Sequence, residues 1–201
     1  NWKVKGIKIR QETSFPYEEK TKLTVIEGNS EFKLMVRFPS WVGKNELKIK
    51  INGKDFTYNS NPSSYICIER KWNKNDVVEI SLPMRNTVER LPNVSNYVAF
   101  MHGPILLCAK TGTEDLKGLI ADDGRWSQFA AGEYLPVDKA PILIEDNIDR
   151  IAEKLVPVKD KPLNFKLNMD MINKADLTLE PFYIIHDSRY MMYWLALTND
   201  G

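Results

Sequence analysis

Apolar and polar residues alternate with period two along much of the first half of the chain. Phe32, Leu34, Val36 and Phe38 alternate with Lys33, Met35 and Arg37. Side chains on a strand point to opposite faces in turn, so this run predicts a half-buried strand, ended by Pro39. Ile7 and Ile9 mark an earlier short strand and Leu23 to Ile26 another. Leu47, Ile49 and Ile51 alternate with Lys48 and Lys50 and run into Asn52-Gly53, with Phe56 and Tyr58 beginning the return. Asn-Gly is the favoured two-residue hairpin turn, because both positions tolerate positive φ. The most extended signal runs from Tyr65 to Met84. Ile66 and Ile68 alternate with Tyr65, Cys67 and Glu69; then Asn73-Lys74-Asn75-Asp76 turns into Val78, Ile80 and Leu82. This segment predicts a half-buried hairpin, closed by Pro83, which has no N–H to give to a ladder.

A further strand-like run, Tyr97 to Ala109, is interrupted by Gly103-Pro104. Short strands bounded by turn residues point to an antiparallel sandwich. After Lys110 the texture changes. Thr111 to Asp115 reads as a polar linker, Asp122-Asp123-Gly124 as a turn, and Pro136, Pro141, Pro157 and Pro162 punctuate the rest of the chain. Asp146 to Leu155 predicts a helix: Ile148, Ile151, Ala152 and Leu155 share a face, with Asp146 and Asp149 at the N-terminal end. Leu177 to Leu197 is strand-like, broken by His186-Asp187-Ser188, which predicts a hairpin with His186 at its tip. The expected fold is all-β: an antiparallel, jelly-roll-like β-sandwich over 1–110, then a smaller β-rich domain with one short helix over 111–201.

Composition narrows this picture in three ways. The 201 residues suffice for a core without covalent staples. The net charge of +1 argues against a nucleic-acid-binding surface over the whole molecule. That near-neutrality conceals an asymmetry. Residues 1–110 carry 18 Lys/Arg against 11 Asp/Glu, and residues 111–201 carry 10 against 16, as expected of two modules that attract each other. No apolar run reaches the roughly 20 residues of a spanning helix. The chain opens on Asn1-Trp2 and closes just past a strand-like segment, which reads as a piece of something longer.

The candidate chemistry is sparse. Cys67 and Cys108 lie in apolar runs, where a cysteine behaves as a small buried hydrophobe; buried free thiols are the expectation and a disulfide the alternative. His102 beside Gly103-Pro104 reads as a turn-side residue, and neither it nor His186 has a second ligand at metal-site spacing. Glu18-Glu19, Asp122-Asp123 and Glu145-Asp146 are carboxylate pairs, but hydrolysis of a glycosidic bond needs two acids facing each other across a sugar, and adjacent acids read as solvated turns. No nucleophile elbow, phosphate loop or H-E-x-x-H is present. The aromatic residues carry more. Trp41, Trp72, Trp126 and Tyr190, with His186, are the candidates for contacts to a sugar or a neighbouring domain, since aromatic rings offer an apolar face with a polar rim. Core packing is the competing role, and for Trp2, Trp194, Tyr183 and Tyr193 the same choice applies.

An ordered set of motifs adds a resemblance. R-F-P-S-W (Arg37 to Trp41), I-N-G (Ile51 to Gly53), E-R-K-W-N-K-N-D-V-V-E-I-S-L-P-M (Glu69 to Met84) and V-A-F-M-H-G-P-I-L-L (Val98 to Leu107) follow one another. Together they resemble the β-sandwich that follows the catalytic barrel in glycoside hydrolase family 127, the β-L-arabinofuranosidases. L-E-P-F-Y-I-I-H-D-S-R-Y-M-M-Y-W (Leu179 to Trp194) resembles the extra C-terminal domain of bacterial, Bacteroides-like members. The resemblance implies an (α/α)₆ catalytic barrel with a cysteine nucleophile, a glutamate and cysteine-bound zinc. It places all of these upstream of this chain, because neither Cys67 nor Cys108 stands in a matching context.

The expected role is therefore that of a noncatalytic accessory region, with no catalytic, cofactor or metal residue of its own and zinc only in the absent barrel. Its expected partners are that barrel and, through the parent enzyme, plant-type arabinose-containing glycans, with neither nucleic acid nor a membrane span. The family implies a periplasmic or extracellular setting. A carbohydrate-binding module and an oligomerisation domain are the alternatives.

Overall fold

The structure is a computed structural model that describes residues 1–114, 137–186 and 188–199. The chain divides into two compact units, Asn1–Arg85 and Asn86–Gly201. The division lies at Arg85/Asn86 and not at Lys110, where the sequence changes texture. Two strands that precede Lys110 or end just beyond it pair with strands near the C-terminal end, and a third pairs with one of those two, so partnership and not composition sets the boundary.

The first unit holds seven strands: β1 (Lys8–Thr13), β2 (Lys20–Glu27), β3 (Asn29–Phe38), β4 (Lys48–Ile51), β5 (Lys54–Asp55), β6 (Ser64–Asn73) and β7 (Val77–Ser81). Five form a sheet in the order β1-β2-β7-β4-β5, and β3 with β6 forms a two-stranded antiparallel ladder. Phe32, Val36 and Phe38 from β3, and Ile66 and Ile68 from β6, share one core with Val25, Ile49, Val78 and Ile80 from the larger sheet. This is the expected sandwich. Each of those side chains contributes about 1.5–3 kcal/mol by leaving water, and the alternating pattern is what places them all on the inner faces. Asn52 and Gly53 take φ of 51° and 77° and join β4 to β5, as the dipeptide predicts.

The run from Tyr65 to Met84 is not a hairpin. Its two strands exist as β6 and β7, yet β6 pairs with β3 and β7 with β2 and β4. The turn between them carries the chain from one sheet to the other. Asp76, buried at this corner, accepts hydrogen bonds from the Asn73 backbone N–H (2.8 Å) and the Asn52 side-chain amide (2.8 Å), and pairs with Arg70 at 3.4 Å. Asn52 in turn accepts from the Val77 N–H at 2.8 Å. Alternation says which face of a strand is buried but not which strand lies beside it, so both arrangements satisfy the same pattern.

The second unit contains β8 (Asn86–Leu91), β9 (Val94–His102), β10 (Ile105–Gly112), β11 (Ile142–Ile144), β12 (Leu155–Pro157), β13 (Phe165–Leu167), β14 (Met171–Ile172), β15 (Thr178–Pro181), β16 (Arg189–Met191) and β17 (Trp194–Leu197). Among the described residues they make a ten-stranded sheet along the path β12-β13-β15-β10-β9-β17-β11-β14, with β16 on β10 and β8 on β9. Phe100, Leu107, Leu143, Leu179 and Trp194 are among its fully buried side chains. Gly103, at φ 55°, turns β9 into β10 with His102 opposite Ile105, so His102 is the turn-side residue its context suggests.

The helix expected over Asp146 to Leu155 is a 3-10 helix, Ile148–Lys154. Asn147 caps it, accepting from the Asp149 N–H at 3.1 Å. Ile148 and Ile151 stand three residues apart, a spacing that stacks side chains in a 3-10 helix as well as it serves an α-helix. Asp146 serves elsewhere: its carboxylate accepts the backbone N–H and side-chain amide of Asn199 at 2.9 and 3.0 Å. Those bonds, the backbone one first, hold it below the usual carboxylate range.

Candidate functional site

The aromatic candidates separate once their surroundings are known. Trp72 is fully buried, stacks on Phe32 with ring centroids 5.6 Å apart, and donates its indole N–H to the Phe32 carbonyl at 3.1 Å. It is a core residue and offers no face to a ligand. Trp41 is half-buried, packed against the same core with Phe15 tilted against it at 5.9 Å. Trp126 lies outside the described residues, as do Asp122 and Asp123. Trp194 is fully buried against Phe100, with no partner for its indole N–H among the described residues.

His186 is exposed, but it does not sit at a hairpin tip. β15 and β16 both pair with β10, and Ala109 of β10 stands opposite Leu179 of one and Met191 of the other. The two strands therefore flank β10, and His186 lies on the connection that crosses from one side to the other. Asp187 falls outside the described residues.

Tyr190 has a different setting. It is half-exposed on β16, braced edge-on by Phe182 at 5.2 Å, and it lines a cleft of about 550 Å³ within the second unit. Two more tyrosines, Tyr97 on β9 and Tyr193 beside β17, share that lining. Pro141, Leu177 and Met191 supply an apolar floor, and Thr111, Lys139 and Arg189 the polar groups. Among the described residues, no carboxylate lines it.

Local geometry builds this cleft. Lys110 pairs with Tyr190 and Gly112 with Arg189, so Thr111 is an extra residue at a β-bulge. A bulge re-aims side chains at a sheet margin, and here it accompanies Thr111 on the cleft wall. Ser188 donates to the Gly112 carbonyl at 2.9 Å, and the Arg189 Nε donates to the Glu114 carbonyl at 2.7 Å, tying β16 to the end of β10. The turn that carries Lys139 is clamped from the other side. The Asn173 amide donates to the carbonyls of Asp138 and Ala140 at 2.6 and 3.1 Å.

The cysteines do not form a metal centre. Cys108 is sealed in the core, where burial pushes its thiol up to about 11, while Cys67 is exposed on the outer face of the β3–β6 ladder, against the expectation that both are buried. Cys67 belongs to the outward-facing set of its strand with Tyr65 and Glu69, which the alternation itself specifies. Both thiols are free. Among the described residues, no three His, Cys, Asp or Glu side chains come together as metal ligands.

The exposed β1–β2 region has a second, more polar concavity lined by Gln11, Glu12, Thr13, Lys20 and Glu79 among others. Its charges are largely matched, with Arg10–Glu12 at 3.3 Å and Lys20–Glu18 at 3.1 Å. Among the described residues, no helix is long and apolar enough to cross a membrane.

Comparison with known proteins assigns both units. Residues 1–84 match the beta-L-arabinofuranosidase GH127 middle domain, and residues 87–196 match DUF4986, a domain of unknown function. The chain belongs to the DUF4986 family and is a GH127-like region. The two matched segments meet where the structure divides. No curated protein matches it.

Among solved structures, this GH127-like region is similar to one described as a glycoside hydrolase, with a TM-score of 0.64 and 20% identity over 98% of this chain and 33% of that one. It is also similar to a GH127 beta-arabinofuranosidase (0.62, 21%, covering 95% and 32%). A GH127 beta-L-arabinofuranosidase from Geobacillus stearothermophilus T6 is a third (0.59, 19%, covering 95% and 31%). At these identities the likeness is one of fold. The chain spans about a third of the length of these proteins.

The alternating pattern could not single out the cleft. Tyr97, Tyr190 and Tyr193 are far apart in sequence or on different strands, and only the pairing of β9, β10, β16 and β17 brings them to one place. The bulge at Thr111 left no sequence signal beyond the Thr-Gly step.

Proposed function

We propose that this chain is a noncatalytic accessory region of a GH127-like glycoside hydrolase, packing on and bracing a catalytic (α/α)₆ barrel contributed by other residues of the parent protein. One observation carries the reading. The similar structures accommodate nearly the whole of this chain and yet two-thirds of their own length has no counterpart in it. The cysteine environments support it: Cys108 is sealed in the core with its thiol pushed up to about 11, and Cys67 lies exposed on a strand face. The parent's substrates are arabinose-containing glycans, its zinc belongs to the barrel, and its setting is periplasmic or extracellular.

The test compares this chain with its parent enzyme. The chain alone leaves a chromogenic β-L-arabinofuranoside intact, whereas the parent cleaves it. Removing this region from the parent lowers the barrel's melting temperature. Hydrolysis by the isolated chain, abolished by substituting one of its own residues, sinks the proposal, and so does a barrel whose stability and activity are unchanged without it.

A further inference from the structure

We infer that the outer face of the β3–β6 ladder is a docking surface and that its occupant is the catalytic barrel of the parent protein. The inference rests on the accessory role proposed above and assigns that role to one face of the first unit.

The sandwich of that unit has two outer faces, and they differ. Across the five-stranded sheet, Glu12, Lys22, Glu79, Lys50 and Asp55 stand opposite one another from β1 to β5. All five are exposed, so each strand of that face turns a charge to water. Apolar-in, polar-out alternation is what a sheet with one solvated face requires. The ladder breaks it. Met35 stands opposite Cys67, and Arg37 opposite Tyr65. Met35 and Tyr65 are 51% and 52% exposed, and Cys67, between them on the same face, is exposed as well.

This patch has the composition of an interface centre, where Tyr, Met and Arg are enriched and Lys and Glu depleted. The Arg37 guanidinium lies over the Tyr65 ring at 5.0 Å. Arg37 makes no ion pair among the described residues, which leaves its N–H donors for a carboxylate on the partner. Lys33 and Glu69 satisfy each other at 3.3 Å beside the patch, as rim residues do. The ladder runs ten paired residues without a bulge, and among the described residues no strand pairs with either of its outer edges. Such edges invite cover.

Three features select the occupant. A ligand of sugar size needs a concavity, and the patch lines neither of those described above. Residues 1–85 carry 16 Lys/Arg against 10 Asp/Glu, a net +6, so two first units brought face to face repel each other. The similar structures extend over about three times the length that this chain matches, which supplies a protein surface large enough to cover the ladder.

Cys67 makes the test direct, because its thiol reports whether the patch is covered. The experiment is alkylation with a maleimide, followed at Cys67 by peptide mass spectrometry, in the 201-residue chain and in the parent enzyme. The expected result is fast modification in the chain alone and modification at least about tenfold slower in the parent. Replacing both Met35→Asp and Tyr65→Asp in the parent brings the Cys67 rate to within about threefold of that in the isolated chain, since docking would bury two carboxylates. Glu79→Gln, on the other outer face, leaves the protection intact. The comparison of the two unsubstituted proteins needs no variant to fold.

Four results overturn the inference: equal Cys67 rates in chain and parent, a slow Cys67 in the isolated monomer, a concentration-dependent dimer of the chain that protects Cys67, or protection that survives the double substitution. A barrel that loses stability without this region while Cys67 stays reactive in the parent overturns this face and spares the accessory role. A barrel indifferent to the region's removal overturns both.

Discussion

Asp76 is the side chain on which the corner between the two sheets of the first unit turns, and replacing it tests how that corner is held. Its carboxylate accepts from the Asn73 N–H and the Asn52 amide, both at 2.8 Å. A hydrogen bond to a charged group contributes about 1.5–3 kcal/mol, and a buried donor left without a partner costs about 1–3 kcal/mol. The Arg70 pair is discounted to about 0–1 kcal/mol, because its nitrogen lies 3.4 Å away on a side chain 34% exposed, which water can reach. Asp76→Ala therefore destabilises the first unit by about 3 kcal/mol. Asp76→Asn, which keeps one acceptor and loses the charge, costs about 1–2 kcal/mol.

The pH dependence of that loss has a definite sign. Burial by itself raises the Asp76 carboxyl, but the bonds from Asn73 and Asn52 and the charge of Arg70 outweigh it and hold the group below its ordinary range. A carboxylate with a lowered folded-state pKa stabilises while ionised. Its contribution is complete above the unfolded value of about 3.9 and is lost as pH falls through the folded value. The gap between wild type and Asp76→Asn is thus constant near neutrality, narrows below about pH 4 and closes in stronger acid. Urea melts across pH measure the gap, and amide exchange localises it: the Val77 N–H, bound to the Asn52 side chain, loses protection in Asp76→Ala. A cost under about 1 kcal/mol for Asp76→Ala at pH 7, or a gap that persists unchanged at pH 2, refutes this account.

Two further outcomes concern the buried and exposed side chains of the core strands. Trp72→Ala removes a fully buried ring and should cost about 3–5 kcal/mol in a urea melt, where a ligand-facing tryptophan would cost little. A thiol reagent should modify Cys67 alone in the native chain and reach Cys108 only on unfolding; two fast thiols would show that the core around β10 opens readily.

Much of the first unit was legible in the chain itself. The alternation in Phe32 to Phe38 and in Ile66 to Ile80 specifies which side chains are buried, because a strand's two faces follow from its pleat alone. Asn52-Gly53 specifies a hairpin, because few dipeptides adopt two consecutive positive φ angles. Both are local properties, and local sequence determines them.

Partnership is not local. That β6 and β7 lie in different sheets, that β15 and β16 flank β10, and that β8 to β10 belong to the second unit depend on strands distant in sequence finding one another. Period-two patterning is satisfied equally by a hairpin and by a crossing between sheets. The same limit governed the site: Tyr190 could be named as a candidate, but Trp72 carried as strong an aromatic signal and was core. Only tertiary structure sorts them, because a ring's chemistry is the same in both places and its exposure is set by the strands that pack around it.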